Sequence, residues 1–344
     1  MKTTLLGFLF VCSSVTLVNA QNVKSHYKIA NRIPVDSNGG WDYTSVDEQS
    51  NRLYVSHGTI VQVIDLNTSK VIAVIPNTLG VHGIALADDV HKGFISDGKD
   101  SSVNIFDLKT NTTITKIQVT GQKPDAIVYD NLTKRVFTMN GKTSNATVID
   151  AKTNMVVGTI PLDGKPEFCV ADGKGKLYVN LEDKAAIEEI DASSMKVLRQ
   201  WSIAPGQGPS GLAIDKKNRR LFSVCDNKMM VVSDADKGSV VTTVPIGDGP
   251  DAAAFDPGNM RIYSSNGGDA TLTVVSDSAD TYKVLENVGT QKRARTMALN
   301  TKTHHIYLPT AEFMPMHPVK ADKEKPKPTP MPGSFVVLDI VPVD

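Results

Sequence analysis

Seven polar residues recur along this chain at intervals of 40 to 44 positions: Asp42, His82, Asp125, Glu167, Ser210, Asp251 and Arg295. Brought to one place, this set supports three kinds of chemistry. Its carboxylates attract cations. Its single guanidinium, Arg295, can grip a carboxylate or phosphate through two parallel hydrogen bonds. His82 next to Glu167 or Asp125 makes a pair able to move a proton. A plainer role competes at Asp125 and Asp251, which follow a proline where an aspartate also caps a turn. Elsewhere, Met314, Met316 and His317 cluster as soft and borderline metal ligands of the kind that take copper, with His57 and Cys225 available to add to them.

The spacing of the seven residues belongs to a repeat. Each is an anchor from which an aromatic follows at twelve positions (eleven once): Tyr54, Phe94, Phe137, Tyr178, Phe222, Tyr263 and Tyr307. Three positions after each anchor stands a small or β-branched residue: Ser45, Ala85, Val128, Val170, Ala213, Ala254 and Ala298. An apolar run ending in aspartate comes next, as in "VQVID" at Asp65 or "FVVLD" at Asp339, and then another β-branched run such as "KVIAVIP". Four short strands per repeat of about 40–45 residues, a to d, mark a β-propeller blade. The fold class expected is therefore all-β: a seven-bladed β-propeller with four antiparallel strands per blade. Small residues suit strand a at the crowded axis, aromatics fill the wedge between blades, and the aspartate closing strand c shapes the c–d turn.

Ring closure is also readable. The seventh repeat runs out after Asp339 without a strand d, whereas "YKIANRIPV" (Tyr27 to Val35) reads as a strand d with no blade before it. The N-terminal strand should complete the last blade and leave no open sheet edge. Residues 21–344 then form one domain, interrupted in blade seven by a proline-rich, charged insertion at about 312–332 that is too polar to bury a core.

In a propeller the d–a and b–c loops share one face. The anchors should form a ring at the channel mouth there, and His57, Asp97, Asn140, Leu181, Cys225, Asn266 and Thr310 should project from the loops above. The result is a polar, acidic funnel with Arg295 as its one cation, the default place for a ligand.

The repeat "LYVN…IEEIDASSMKV…PSGLAID" resembles the YVTN, or YncE-like, seven-bladed propellers of secreted and periplasmic bacterial proteins. The resemblance runs from about Tyr27 to Asp339 and implies the fold and a binding role, with no catalytic motif to carry over. Similar propellers host lyase and lactonase chemistry, which keeps an enzyme using His82 with a carboxylate as an alternative; handling of a metal through Met314, Met316 and His317 is another.

Bulk properties narrow the partners. Lys plus Arg and Asp plus Glu are 37 each, so the net charge is zero. That argues against a general nucleic-acid or anionic-membrane binder. The first twenty residues, with Lys2, an apolar run and Ala20 before Gln21, read as a cleavable export signal. The expectation is a secreted or periplasmic monomer without a transmembrane segment or a cofactor, whose partner is a small molecule or a periplasmic protein. No GxxxxGK, HExxH or GxSxG motif is present.

Overall fold

A computed structural model describes residues 26–36, 39–278, 280–315 and 328–343. The proposed export signal lies outside the described residues, as do Met316 and His317. The described chain forms seven four-stranded antiparallel sheets, one per repeat. Blade one shows the pattern: strand a is Trp41–Asp47, b Arg52–His57, c Ile60–Asp65 and d Lys70–Ile75. Blade seven consists of Ala298–Asn300, His305–Thr310, Val336–Pro342 and the N-terminal strand Tyr27–Pro34, which pairs with Val336–Pro342 from Tyr27↔Pro342 to Pro34↔Val336. The ring is thus closed across the two ends of the chain. Among the described residues no helix is long and apolar enough to cross a membrane.

The two hydrophobic columns of the repeat turn out to face each other. The small residue of strand a sits directly opposite the aromatic of strand b in every blade: Ser45↔Tyr54, Ala85↔Phe94, Val128↔Phe137, Val170↔Tyr178, Ala213↔Phe222, Ala254↔Tyr263 and Ala298↔Tyr307. Paired residues project from the same face of a sheet. A small side chain on strand a therefore leaves room for the ring beside it. Six of the aromatics have no solvent exposure, and Tyr307 retains 4%. They pack into the next blade: Phe137 of blade three lies in a cluster with Cys169, Leu177 and Val179 of blade four. Cys169 and Cys225 are both buried and unpaired, small apolar residues of the inter-blade core.

The aspartates closing strand c act as turn residues in blades one to five. Asp65 accepts the backbone N–H groups of Asn67 and Thr68 at 2.7 and 3.3 Å, and Asp107, Asp150, Asp191 and Asp234 repeat the motif. Blades six and seven depart from it. There strand c runs past the aspartate, to Ser278 and Pro342, so the residue falls within a strand rather than at its end. Asp339 instead pairs with His305 at 2.8 Å.

The described feet of the 312–332 insertion lie against blade one and the segment that precedes strand a of blade seven. Phe313 bridges to Pro330, and its ring lies 5.9 Å from Trp41 and beneath the Arg293 guanidinium at 4.9 Å.

Candidate functional site

Strand a does not pair with strand b evenly. In blades one to six the ladder is interrupted immediately after its first residue, between Trp41 and Thr44, Val81 and Ile84, Pro124 and Ile127, Pro166 and Cys169, Pro209 and Leu212, and Pro250 and Ala252. Each anchor lies inside that irregularity. A bulge turns a side chain out of the plane of the ladder, and here it aims the anchor at the axis. In blade seven the strand is shortened to Ala298–Asn300, so Arg295 precedes it in non-strand backbone.

Buried polar groups hold these bulges from the neighbouring blade. Ser96 donates to the backbone carbonyl of Asp125 at 2.5 Å, Asn180 to that of Ser210 at 3.0 Å, and Ser265 to that of Arg295. Thr296 closes the ring by donating to the Asp42 carbonyl at 2.7 Å. The positions of the anchors are set by blade-to-blade contacts as much as by their own sheets.

All seven anchors line one cavity of about 300 Å³ at the channel mouth. Tyr43 of blade one lines it too, and its ring meets Phe168 of blade four at 5.3 Å. Burial, with the charges of Asp125, Asp42 and Glu167 added, pushes the Tyr43 hydroxyl well above its ordinary range. The phenol is therefore neutral. The same lining holds six carboxylates, those of Asp42, Asp125, Glu167, Glu182, Asp226 and Asp251.

A chain of ion pairs runs around five blades. Arg295 pairs with Asp251 and reaches Asp42 at 3.4 Å; Asp42 takes His82 at 2.5 Å; His82 faces Asp125 at 3.5 Å; Asp125 faces Lys123 at 3.6 Å. Burial alone would lower the His82 pKa, but the Asp42 hydrogen bond and the Asp125 charge raise it overall. Burial raises Asp125, against the pull of His82. The partner of His82 is thus Asp42 first and Asp125 second, not Glu167.

Blades four and five are arranged differently. Lys165 pairs with both Glu167, at 2.7 Å, and Glu182. Burial raises Glu167 to about 7, with Lys165 opposing and Asp125 adding to the rise. Asp226 is raised by burial and by the Glu182 charge, and among the described residues its side chain makes no hydrogen bond or ion pair.

Two expectations about the funnel are corrected. Arg295 is not its only cation, since Lys123 lines the cavity and Lys165 stands beside it. The second ring is also displaced by one residue. His57, Asp97, Asn140, Leu181, Cys225, Asn266 and Thr310 end strand b and are buried, at most 1% exposed. They close the b–c hairpins: His57 bonds Gln62 at 3.1 Å and the Gly39 carbonyl at 3.2 Å, and Asn140 bonds Asn145 and Thr147. The residues one position further on stand just beyond the end of strand b, and of these Glu182 and Asp226 line the cavity. Those residues are Gly58, Gly98, Gly141, Glu182, Asp226, Gly267 and Ala311. Only blades four and five carry a functional side chain there.

Of the candidate metal cluster at the insertion, Met316 and His317 lie outside the described residues. Met314 is 46% exposed, while His57 and Cys225 are buried and occupied elsewhere. Residues that the sequence reading passed over are Tyr43, Lys123, Lys165, Glu182 and Asp226. Lys123 and Lys165 had a signal, a lysine directly before the proline that opens strand a. Tyr43 had none, because its neighbour in space is three blades away.

No protein-family model and no curated protein matches the chain. Solved structures do. A chain of hydrazine synthase from Kuenenia stuttgartiensis is similar at 17% identity and a TM-score of 0.69, over 80% of this chain and 94% of that one. U3-55K is similar at 8% identity and a TM-score of 0.75, over 91% and 98%. A chain of a mitotic checkpoint complex is similar at 15% identity and a TM-score of 0.71, over 90% and 96%. At these identities the likeness is one of fold. The chain is a seven-bladed propeller of the WD40-like shape, a fold that serves many functions.

Proposed function

We propose that this propeller is an exported binding protein that takes a small ligand bearing a cationic group into the funnel. One observation carries this reading: seven anchors, one from each blade, converge on a single acidic cavity whose one guanidinium is already engaged by Asp251 and Asp42. An earlier possibility, that Arg295 grips an anionic ligand, is disfavoured by that engagement. Negative charge is in excess at blades four and five, where Lys165 is shared between Glu167 and Glu182 and Asp226 has no ion pair among the described residues, while the positions equivalent to Glu182 and Asp226 elsewhere are glycine or alanine. A cavity of about 300 Å³ suits an amine, a short peptide terminus or a lysine side chain of a partner.

A thermal-shift screen tests the proposal, because a ligand that binds only the native state raises the melting temperature by mass action. Organic amines and amino-terminal peptides should raise it. Carboxylates, phosphates and lactones should not, and the shift should shrink in Asp226→Asn. Saturable binding of anions with none of amines would sink the reading. Export is supported by the Met1–Ala20 stretch alone, and mass spectrometry of the exported protein should find it beginning at Gln21.

A further inference from the structure

Asp42, His82 and Asp125 come from strand a of three consecutive blades, yet one donor atom from each lies within 4.8 Å of the other two. We propose that these three residues hold a divalent transition-metal ion of the zinc class, with the remaining coordination positions open to the funnel. The inference rests on the funnel being the binding face and adds an inorganic site to it, on the side away from Glu182 and Asp226.

The donor set is the first argument. One imidazole and two carboxylates suit zinc or manganese better than calcium, which prefers six to eight oxygens. Three protein ligands plus an open position is the arrangement of sites that take a further ligand, rather than of closed structural sites.

Orientation is the second argument. Asp42 divides its oxygens: Oδ1 takes Arg295 at 3.4 Å, and Oδ2 is the atom at His82 Nδ1. Arg295 can keep its bond while Oδ2 turns to a metal, which is how an outer partner fixes a ligating carboxylate. The other edge of the His82 ring rests on Gly98, where an added Cβ would come within 2.7 Å of Nε2. Nδ1 is thereby left as the ring atom that faces both carboxylates.

The third argument comes from Asp125. It is 92% buried, since 8% of its surface is exposed, and its carboxylate lines the cavity. Its ion pairs, with His82 at 3.5 Å and Lys123 at 3.6 Å, are the long members of the chain that runs around the funnel. At those distances the buried carboxylate still has room for a closer cation. A metal between Asp125, His82 Nδ1 and Asp42 Oδ2 would supply it.

The experiment uses the full exported chain without an affinity tag, stripped with EDTA and titrated with Zn²⁺, Mn²⁺ and Mg²⁺ against a competing chromogenic chelator. One equivalent of Zn²⁺ should bind, Mg²⁺ should bind far more weakly, and Co²⁺ should give a visible absorption band. His82→Ala should lower the affinity by about 100-fold and Asp125→Asn by about 10-fold or more, the scale of losing a ligand or an orienting partner. Gly98→Ala deletes no ligand but pushes on the His82 ring, and should weaken binding as well. Asp226→Asn should leave metal affinity unchanged while reducing the amine shift, so the two sites fail separately. Zn²⁺ affinity that is the same in His82→Ala and Asp125→Asn, with both variants melting cooperatively, would overturn the proposal. So would binding that disappears only when Met314, Met316 and His317 are replaced.

Discussion

Arg295 is the residue at which charge balance and recognition are easiest to separate. It pairs with Asp251 and Asp42 while 40% of its side chain remains exposed. Solvent screening limits what such a pair contributes, so Arg295→Ala should cost only about 1 kcal/mol in denaturant unfolding. Arg295→Lys should recover most of it, because a point charge suffices for balance. Equal losses in both variants would mean that the planar geometry matters. Glu167 gives a prediction in pH. Its carboxyl titrates near 7 in the folded chain, pushed up chiefly by burial, against an ordinary value of 4.5. The folded state holds this proton more tightly than the unfolded state does. The stability it contributes is complete below about 4.5 and is lost as pH rises through 7, a total on the order of 3 kcal/mol at most. Glu167→Gln cannot lose that proton. Relative to wild type it should gain stability between about pH 5 and pH 8, as read from melting curves across that range; a constant difference would show that Glu167 does not titrate there.

At the level of single strands, the pairing of a small residue with an aromatic is what makes one blade fit the next. Phe137→Ala or Tyr263→Ala should each destabilise by about 3–5 kcal/mol, the usual cost of emptying a large buried aromatic site. Tyr263 has an added stake, since its hydroxyl meets that of Tyr27 on the closing strand at 3.0 Å. Enlarging the facing residue should also hurt: Ala213→Leu, opposite Phe222, should cost about 1–3 kcal/mol through overpacking. Asp65→Ala removes the acceptor for two turn N–H groups on an exposed hairpin and should cost about 1 kcal/mol. Equilibrium unfolding in urea would rank the four. A turn variant costlier than an aromatic variant would mean that the hairpins, not the wedges, carry the fold.

For the whole molecule, the decisive element is the strand Tyr27–Pro34. It pairs along the full length of Val336–Pro342, and Tyr27, Ile33 and Val35 are at most 4% exposed. A chain starting at Asp36 would leave blade seven with three strands and an open hydrogen-bonding edge beside blade one. Blades in a ring support one another through nearest-neighbour contacts, so the loss should spread. Such a chain should aggregate or unfold without a sharp transition, which size-exclusion chromatography and calorimetry would detect. A truncated protein that melts as sharply as the complete one would contradict closure by the N-terminal strand.

The sequence alone determined whatever repeats. Strand number, blade number, the aromatic and small columns and the closing strand were all legible, because each depends on a side-chain type recurring at fixed separation in seven copies of one local problem. The anchors of the funnel were legible for the same reason. What the sequence left undecided depends on single residues meeting across the ring. That Tyr43 of blade one meets Phe168 of blade four is a consequence of closure, and no spacing along the chain encodes it. Nor does any spacing show that His82 pairs with Asp42 rather than Glu167. The bulge in strand a and the packing of Gly98 turn the His82 ring toward one neighbour. The one-residue error in the second ring has the same origin. Leu181 and Cys225 are the last paired residues of strand b and are buried, while Glu182 and Asp226 follow it and line the cavity; the true end of a strand is fixed by its hydrogen-bond partners, which only the folded sheet supplies.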